Sequence, residues 1–358
     1  MRGRKPKPDT HYLMLKKIIQ RSALLLLTSF AQAETVKVFL LAGQSNMEGK
    51  ASNELMDHQS TDAKTASLFA HLRKDGAWIE RDDVSIKFLD RHGPLTLGYG
   101  SPGKTGPEHE FGTLMGDHFD EPVLLIKAAW GGHSLFQKFR PPSAGMPRDE
   151  ILAAELASAQ TRVKQNNEKH KKSDPLPTMD DIRAPYGMSY RNMMKEVEDT
   201  FANFDTLFPA LKGKQPEIAG FVWFQGFNDM FGDHAPGEYA ANLQHLINDV
   251  RKELKKPQLP VVIAAMGNNG SKPAQKGMLT VQTAQLSMNE VPAFKGNVIA
   301  FPTDVLVDKA AEELFPTWKD NFEAWKLVGS DRPYHYLGSA IWYNRIGHGM
   351  GEAMLKLL

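Results

Sequence analysis

Residues 36–49 read Val36-Lys37-Val38-Phe39-Leu40-Leu41-Ala42-Gly43-Gln44-Ser45-Asn46-Met47-Glu48-Gly49. The mostly apolar run from Val36 to Ala42 stops at Gly43, and a serine stands two positions later. So short a run, closed by glycine, reads as a buried strand rather than a helix. A strand that ends in Gly-x-Ser sets a hydroxyl at the carboxyl edge of a sheet, where ligands bind in open α/β folds. Ser45 is therefore a candidate nucleophile, and the rest of the chain should supply its base and its oxyanion donors. The alternative is structural, since serine also serves as a helix N-cap.

Four more short apolar runs resemble the first: residues 122–128 (PVLLIKA), 218–224 (IAGFVWF), 260–266 (PVVIAAM) and 297–302 (NVIAFP). Between them, residues 111–119, 190–207, 238–254 and 281–288 have helical spacing, and 338–354 reads as a closing helix with Ile341, Ile346 and Met350 inward. Strands alternating with helices predict an α/β fold, a five-stranded parallel sheet covered on both faces. Residues 84–89 form a further candidate strand, at an edge or in a loop excursion. Two stretches read as insertions into a single domain spanning 34–358. Residues 50–83 are polar and mixed; residues 136–186 are rich in charge and proline, with helical composition over 150–164.

The chain has 358 residues, 41% of them hydrophobic and 24% charged, the composition of a globular protein. Residues 1–33 hold seven Lys/Arg against the single acid Asp9, which leaves the remainder mildly acidic. An acidic body argues against a nucleic-acid partner, which needs a basic face. The N-terminus reads as a signal peptide. Lys16, Lys17 and Arg21 form a charged region, residues 22–30 (SALLLLTSF) an apolar core, and Ala31-Gln32-Ala33 an A-x-A cleavage site. The mature chain would begin at Glu34 and be exported, periplasmic or extracellular, with Met1 or Met14 as the start. The apolar core is too short to span a bilayer comfortably, and no integral membrane segment is expected after its removal. The chain has no cysteine, which excludes disulfides, thiol chemistry and cysteine-ligated metal.

Every apolar run leads into polar or glycine-rich residues. These are Gly43–Met47, Trp130-Gly131-Gly132-His133-Ser134, Gln225-Gly226-Phe227-Asn228-Asp229, Gly267-Asn268-Asn269 and Thr303-Asp304. A parallel sheet gathers all of them at one edge. A serine nucleophile needs a base and donors aimed at the oxyanion. The Ser45 and Gly132 N–H groups and the Asn228 amide are the candidate donors; Gly132 could instead only permit a tight turn, and Asn228 could be a cap. Gln44 and Gln225 are candidates for substrate contact or support. Among twelve histidines, His335 stands apart, in Ser330-Asp331-Arg332-Pro333-Tyr334-His335-Tyr336 just before the closing helix. Its pKa class suits a general base near neutrality. Asp331 is the candidate to orient its other nitrogen. Arg140, His133 and His348 read as structural.

Gly43-Gln44-Ser45-Asn46-Met47 resembles the nucleophile block of the sialate O-acetylesterase and acetylxylan esterase group, carbohydrate esterase family 6, within the SGNH hydrolases. The resemblance continues through Gly131-Gly132, the G-x-N-D block Gly226-Phe227-Asn228-Asp229, and the His335 region. Gly106-Pro107-Glu108 also resembles a recurring segment of that family, which adds Glu108 as a candidate for substrate contact or support. The resemblance implies a flavodoxin-like three-layer α/β/α sandwich and hydrolysis of O-acetyl esters on carbohydrate without metal or other cofactor. It assigns Ser45 as nucleophile, His335 as base, and Ser45 N–H, Gly132 N–H and Asn228 as the oxyanion hole. One departure stands out. The family's D-x-x-H block would put the acid at position 332, which is Arg332; Asp331 is offset by one, so a backbone carbonyl or another carboxylate remains open as the partner of His335. The other readings are a non-catalytic glycan-binding module and an esterase or lipase acting on other acyl esters.

Overall fold

A computed structural model describes residues 34–358. The signal-peptide reading falls on 1–33 and lies outside the described residues. Residues Thr35–Leu358 form one compact unit. Among the described residues no helix is long and apolar enough to cross a membrane.

The main sheet has seven strands: β1 (Thr35–Gly43), β2 (Val84–Phe88), β3 (Arg91–Pro94), β4 (Val123–Ala129), β5 (Gln215–Phe224), β6 (Val261–Ala265) and β7 (Val298–Pro302). Their order across the sheet is β7-β6-β5-β1-β4-β2-β3. All neighbours run parallel except β3, which turns back antiparallel on β2. The five expected strands are thus present, but the sheet is wider than the expected five. The candidate at 84–89 is neither loop nor outermost strand, because β3 covers its free edge. The tight reversal into Arg91-His92-Gly93-Pro94 has no apolar alternation, so β3 left no strand signal in the sequence.

Among the described residues six longer helices accompany the sheet: α1 (Glu108–His118), α2 (Asp149–His170), α3 (Met188–Ala202), α4 (Ala235–Glu253), α5 (Lys276–Leu286) and α6 (Ala340–Leu355). Strand β1 shows why two layers form. Val36, Val38, Leu40 and Ala42 alternate into one core with Met193 of α3, Leu243 of α4 and Val281 of α5. Phe39 and Leu41 point the other way, to Phe111 of α1 and Ile346 and Met350 of α6. Successive strand side chains face opposite sides, so a central strand covered on both faces must be apolar throughout.

The register sets Gly43 beside Ala129 and Phe224, which brings the carboxyl ends of β1, β4 and β5 level. Gly43 has no substitute there: a Cβ would sit 2.0 Å from the carbonyl oxygen of Phe224. Residues 50–83 and 136–186 run as excursions outside the seven-stranded sheet. Residues 50–83 contain a helix (Asn53–Gln59) and a small hairpin. Residues 136–186 contain α2, buried only at Ile151 and Leu152, and a short helix (Met179–Arg183) opened by a Thr178–Asp181 capping box.

Candidate active site

Ser45 opens a single helical turn, Ser45–Glu48, directly after β1. It is the first residue of that turn, and the N-cap position belongs to Gln44, so the capping alternative for Ser45 does not hold. The first N–H groups of a helix have no intrahelical acceptor and face outward. Ser45 Oγ lies 3.0 Å from His335 Nε2, across 290 positions of sequence.

His335 sits in an irregular turn, Pro333–Gly338, in which Tyr336 (φ 51°) and Leu337 (φ 61°) are left-handed. Such conformations cost roughly 1–3 kcal/mol each outside glycine and persist only when the surroundings impose them. Here they do. Ser330 N–H and Asp331 N–H both donate to Leu337 O at 2.9 Å, and His335 N–H donates to Arg332 O. The Tyr336 hydroxyl accepts from Gly267 N–H at 2.8 Å. Asn46, next to the serine, donates through Nδ2 to Tyr334 O and accepts from the Tyr343 hydroxyl, which ties this turn to the strand end.

This curled backbone brings a carboxylate four residues upstream within reach, where a D-x-x-H spacing would need it at three. Asp331 Oδ1 lies 3.2 Å from His335 Nδ1, an ion-pair distance. The contact is not aligned as a hydrogen bond, and Nδ1 has no other acceptor. Catalytic hydrogen bonds are often long or misaligned without substrate. Asp331 is held from two further sides: Lys104 Nζ is 2.7 Å from Oδ2, and Arg332 N–H donates to Oδ1 at 2.8 Å. Burial pushes the Asp331 carboxyl up, but His335, Lys104 and the Arg332 N–H outweigh it and hold the group well below the usual carboxylate range.

The other wall comes from β4 and β5. Gly131 passes beside the nucleophile, its Cβ direction 3.8 Å from Ser45 Cβ. Gly132 has φ +77° and borders open space, a backbone that other residues adopt only with strain. Asn228 comes after β5 in a 3-10 turn, Phe227–Met230. Its Oδ1 accepts from Gln44 Nε2 at 3.0 Å, which leaves Nδ2 as a donor turned away from Gln44. Gln44 Oε1 in turn accepts from Gln225 Nε2 (3.1 Å) and Gly226 N–H (3.2 Å). Both glutamines are buried. Gln225 Nε2 also donates to Asp229 Oδ2 at 2.6 Å. Asp229 accepts from Leu135 N–H (2.8 Å) and Phe136 N–H (2.7 Å), which anchors the Gly131–Gly132 loop to the loop after β5. Burial pushes the Asp229 carboxyl up to about 6, against the pull of Gln225 and the two N–H groups.

Ser45, His335, Asp331, Gly132 and Asn228 thus converge on one edge. Gln44 and Gln225 lie beneath them as supports. Glu108 does not face the crevice: it is fully buried against Lys127, 2.8 Å away, and accepts from Gly106 N–H. Lys127 also donates to Glu48 O and Tyr99 O, which pins the far end of the serine's turn. Arg140 is paired with Glu238. His133 donates to or accepts from Ser189, and His348 contacts Glu110. A hollow of about 400 Å³ bordered by Lys37, Glu217 and Lys256 lies at the opposite, N-terminal end of the strands, away from these groups. Sequence reasoning missed Lys104 and the linking role of Asn46. Asn46 was adjacent to the serine and visible, whereas Lys104 carried no signal among 43 basic residues.

Residues 35–173 and 177–304 match the model of a family described as carbohydrate esterase, sialic acid-specific acetylesterase. The match takes in Ser45, Gly132 and Asn228 and ends before Asp331 and His335. A probable carbohydrate esterase of Arabidopsis thaliana is 33% identical over 54 residues, 15% of this chain and 21% of that relative. The chain therefore aligns with about a fifth of that curated relative's length. Among solved structures, an Arabidopsis thaliana protein aligns with a TM-score of 0.47 at 17% identity, over 90% of this chain and 98% of that one. A carbohydrate acetylesterase of Xanthomonas citri aligns at 0.44 and 14% identity, over 88% and 55%. NanS aligns at 0.42 and 11% identity, over 76% and 78%.

Asp229→Asn replaces one acceptor by an NH2 group facing a donor and strands a buried N–H. A loss of about 1–3 kcal/mol is expected, read as a lower urea midpoint at neutral pH; an unchanged midpoint would show that the carboxylate does not hold the loop.

Proposed function

This chain belongs to the sialic acid-specific acetylesterase family of carbohydrate esterases, and from that premise we propose that it is an exported serine esterase removing O-acetyl groups from carbohydrate. The observation that carries the chemistry is the 3.0 Å contact between Ser45 Oγ and His335 Nε2 at the end of β1. In this reading His335 takes the Ser45 proton as Oγ attacks the acetyl carbonyl. The tetrahedral oxyanion is met by the N–H groups of Ser45 and Gly132 and by Asn228 Nδ2. Its collapse breaks the bond to the sugar oxygen, which leaves as an alcohol with the proton held on His335. Water, deprotonated by His335, then attacks the acetyl-serine, and acetate departs. Fixed donors in a water-poor site stabilise the oxyanion because they need no reorganisation when charge develops. Asp331 orients the imidazole and stabilises its cation.

Lys104 has a place in the same scheme. Its ammonium shares the Asp331 carboxylate with His335 and fixes which oxygen faces the ring. Export rests on the sequence of residues 16–33.

Ser45→Ala should lower p-nitrophenyl acetate turnover by on the order of 10⁴-fold or more, and Asn228→Ala by about 10²–10³-fold. Wild-type turnover in Ser45→Ala, or a preference for long acyl chains across p-nitrophenyl esters, would contradict the proposal. Lys104→Met should lower kcat for p-nitrophenyl acetate about tenfold with KM little changed, because Asp331 loses the group that fixes its orientation toward His335; Lys104→Arg should restore it. An unchanged kcat in Lys104→Met would leave Lys104 a purely structural residue. Intact-mass analysis of secreted protein should give a chain starting at Glu34, and a retained N-terminus would refute cleavage there.

A further inference from the structure

A run of aromatic rings leads away from the reactive pair. The Tyr334 ring lies 4.5 Å from the His335 ring, centroid to centroid. Phe227 lies 5.7 Å from Tyr334, and Phe231 lies 5.3 Å from Phe227. The two ends are open to solvent: Tyr334 is 42% and Phe231 55% exposed. Single exposed apolar side chains are ordinary, but contiguous ones bordering a site mark a binding surface. These three come from two chain segments about a hundred positions apart, and Phe227 precedes the oxyanion candidate Asn228.

The ribbon does not end on open surface. Phe231 and Asn228 line a cleft of about 710 Å³ whose far wall is helix α2, through Ala154, Ser158 and Arg162. Those three positions, four apart, share one face of the helix. The volume is that of a site for a sizeable small molecule, and an acetyl group needs only a small part of it. Its lining mixes aromatic and aliphatic surface with Arg162, Asp233, His234 and Gln137. A pyranose matches this pattern. Its C–H face is apolar and lies flat on a ring, while its hydroxyls point outward to polar groups at the rim.

We propose that Tyr334, Phe227 and Phe231 form a stacking platform for the sugar rings of the substrate, and that the cleft under α2 holds the residues flanking the acetylated one. The substrate is therefore an acetylated oligosaccharide or polysaccharide chain rather than a free monosaccharide. The inference rests on the carbohydrate esterase reading and adds to it the extent of the ligand.

The test compares acetate release within two pairs of probes: O-acetylated N-acetylneuraminic acid against O-acetylated sialyllactose, and acetylated xylose against acetylated xylotetraose. In the pair that is turned over, the oligomer should show a kcat/KM at least tenfold higher. Phe231→Ala should lower the ratio of oligomer kcat/KM to p-nitrophenyl acetate kcat/KM at least tenfold, with Phe231→Trp restoring it. Ser158→Trp, which fills the cleft from an exposed helix position, should lower the same ratio without touching the platform. Thermal melts establish that each variant is folded. Equal kcat/KM for monomer and oligomer, or ratios unchanged in both variants, would overturn the platform and leave the esterase reading standing. Hydrolysis of p-nitrophenyl acetate with no acetate released from any glycan would overturn the carbohydrate reading and the platform together.

Discussion

The side-chain amide of Gln44 is the joint on which the site depends. It lies between the end of β1 and the loop after β5, buried where no water can replace a lost partner. Its NH2 fixes the face that Asn228 turns to the crevice, and its carbonyl gathers Gln225 and Gly226. Only an amide serves both ends at once. A glutamate would set two acceptors against each other at Asn228 Oδ1, and an apolar residue would leave several buried groups without partners, which costs more than the bonds themselves yield. The network goes on through Gln225 to Asp229 and from there to the loop after β4. Three strand ends are thus locked by one continuous set of hydrogen bonds, and this sets the oxyanion candidates before any ligand arrives.

The histidine side is built on a different principle. Its turn is held by backbone bonds and by Asn46, and the tight turn closed by His335 N–H on Arg332 O brings Asp331 and His335 together. The shift from D-x-x-H to D-x-x-x-H is absorbed by this curl. A carboxylate offset by one position still reaches the ring, but at an angle that Lys104 and the Arg332 N–H help to set.

Much of this was legible in the sequence because it rests on local signals. Five apolar runs gave five strands, since central parallel strands are apolar on both faces and stand out. Ser45, Gly132 and Asn228 were nominated by the polar and glycine-rich residues that close three of those runs, and His335 by its place before the closing helix. They converge because a parallel sheet brings its carboxyl ends together. β3 was not legible: its polar residues make an edge ladder by backbone bonds alone. Lys104 and the Lys127–Glu108 pair were not legible either. Their roles depend on partners far away in the chain, and a lysine meant for a buried carboxylate reads the same as one meant for water. Glu108 was noticed through family resemblance, without a means of telling a crevice from a core.

Helix α2 carries a consequence of another kind. It is buried only at its first turn, at Ile151 and Leu152, and the rest of its length contributes little to the core. Substitutions along its length beyond that first turn cost the sheet almost nothing. The catalytic edge and the far wall of the cleft are therefore separable inheritances. One is fixed in a rigid network that tolerates little change, and the other sits on a cantilever that drift and selection can rewrite without dismantling the machine beneath it.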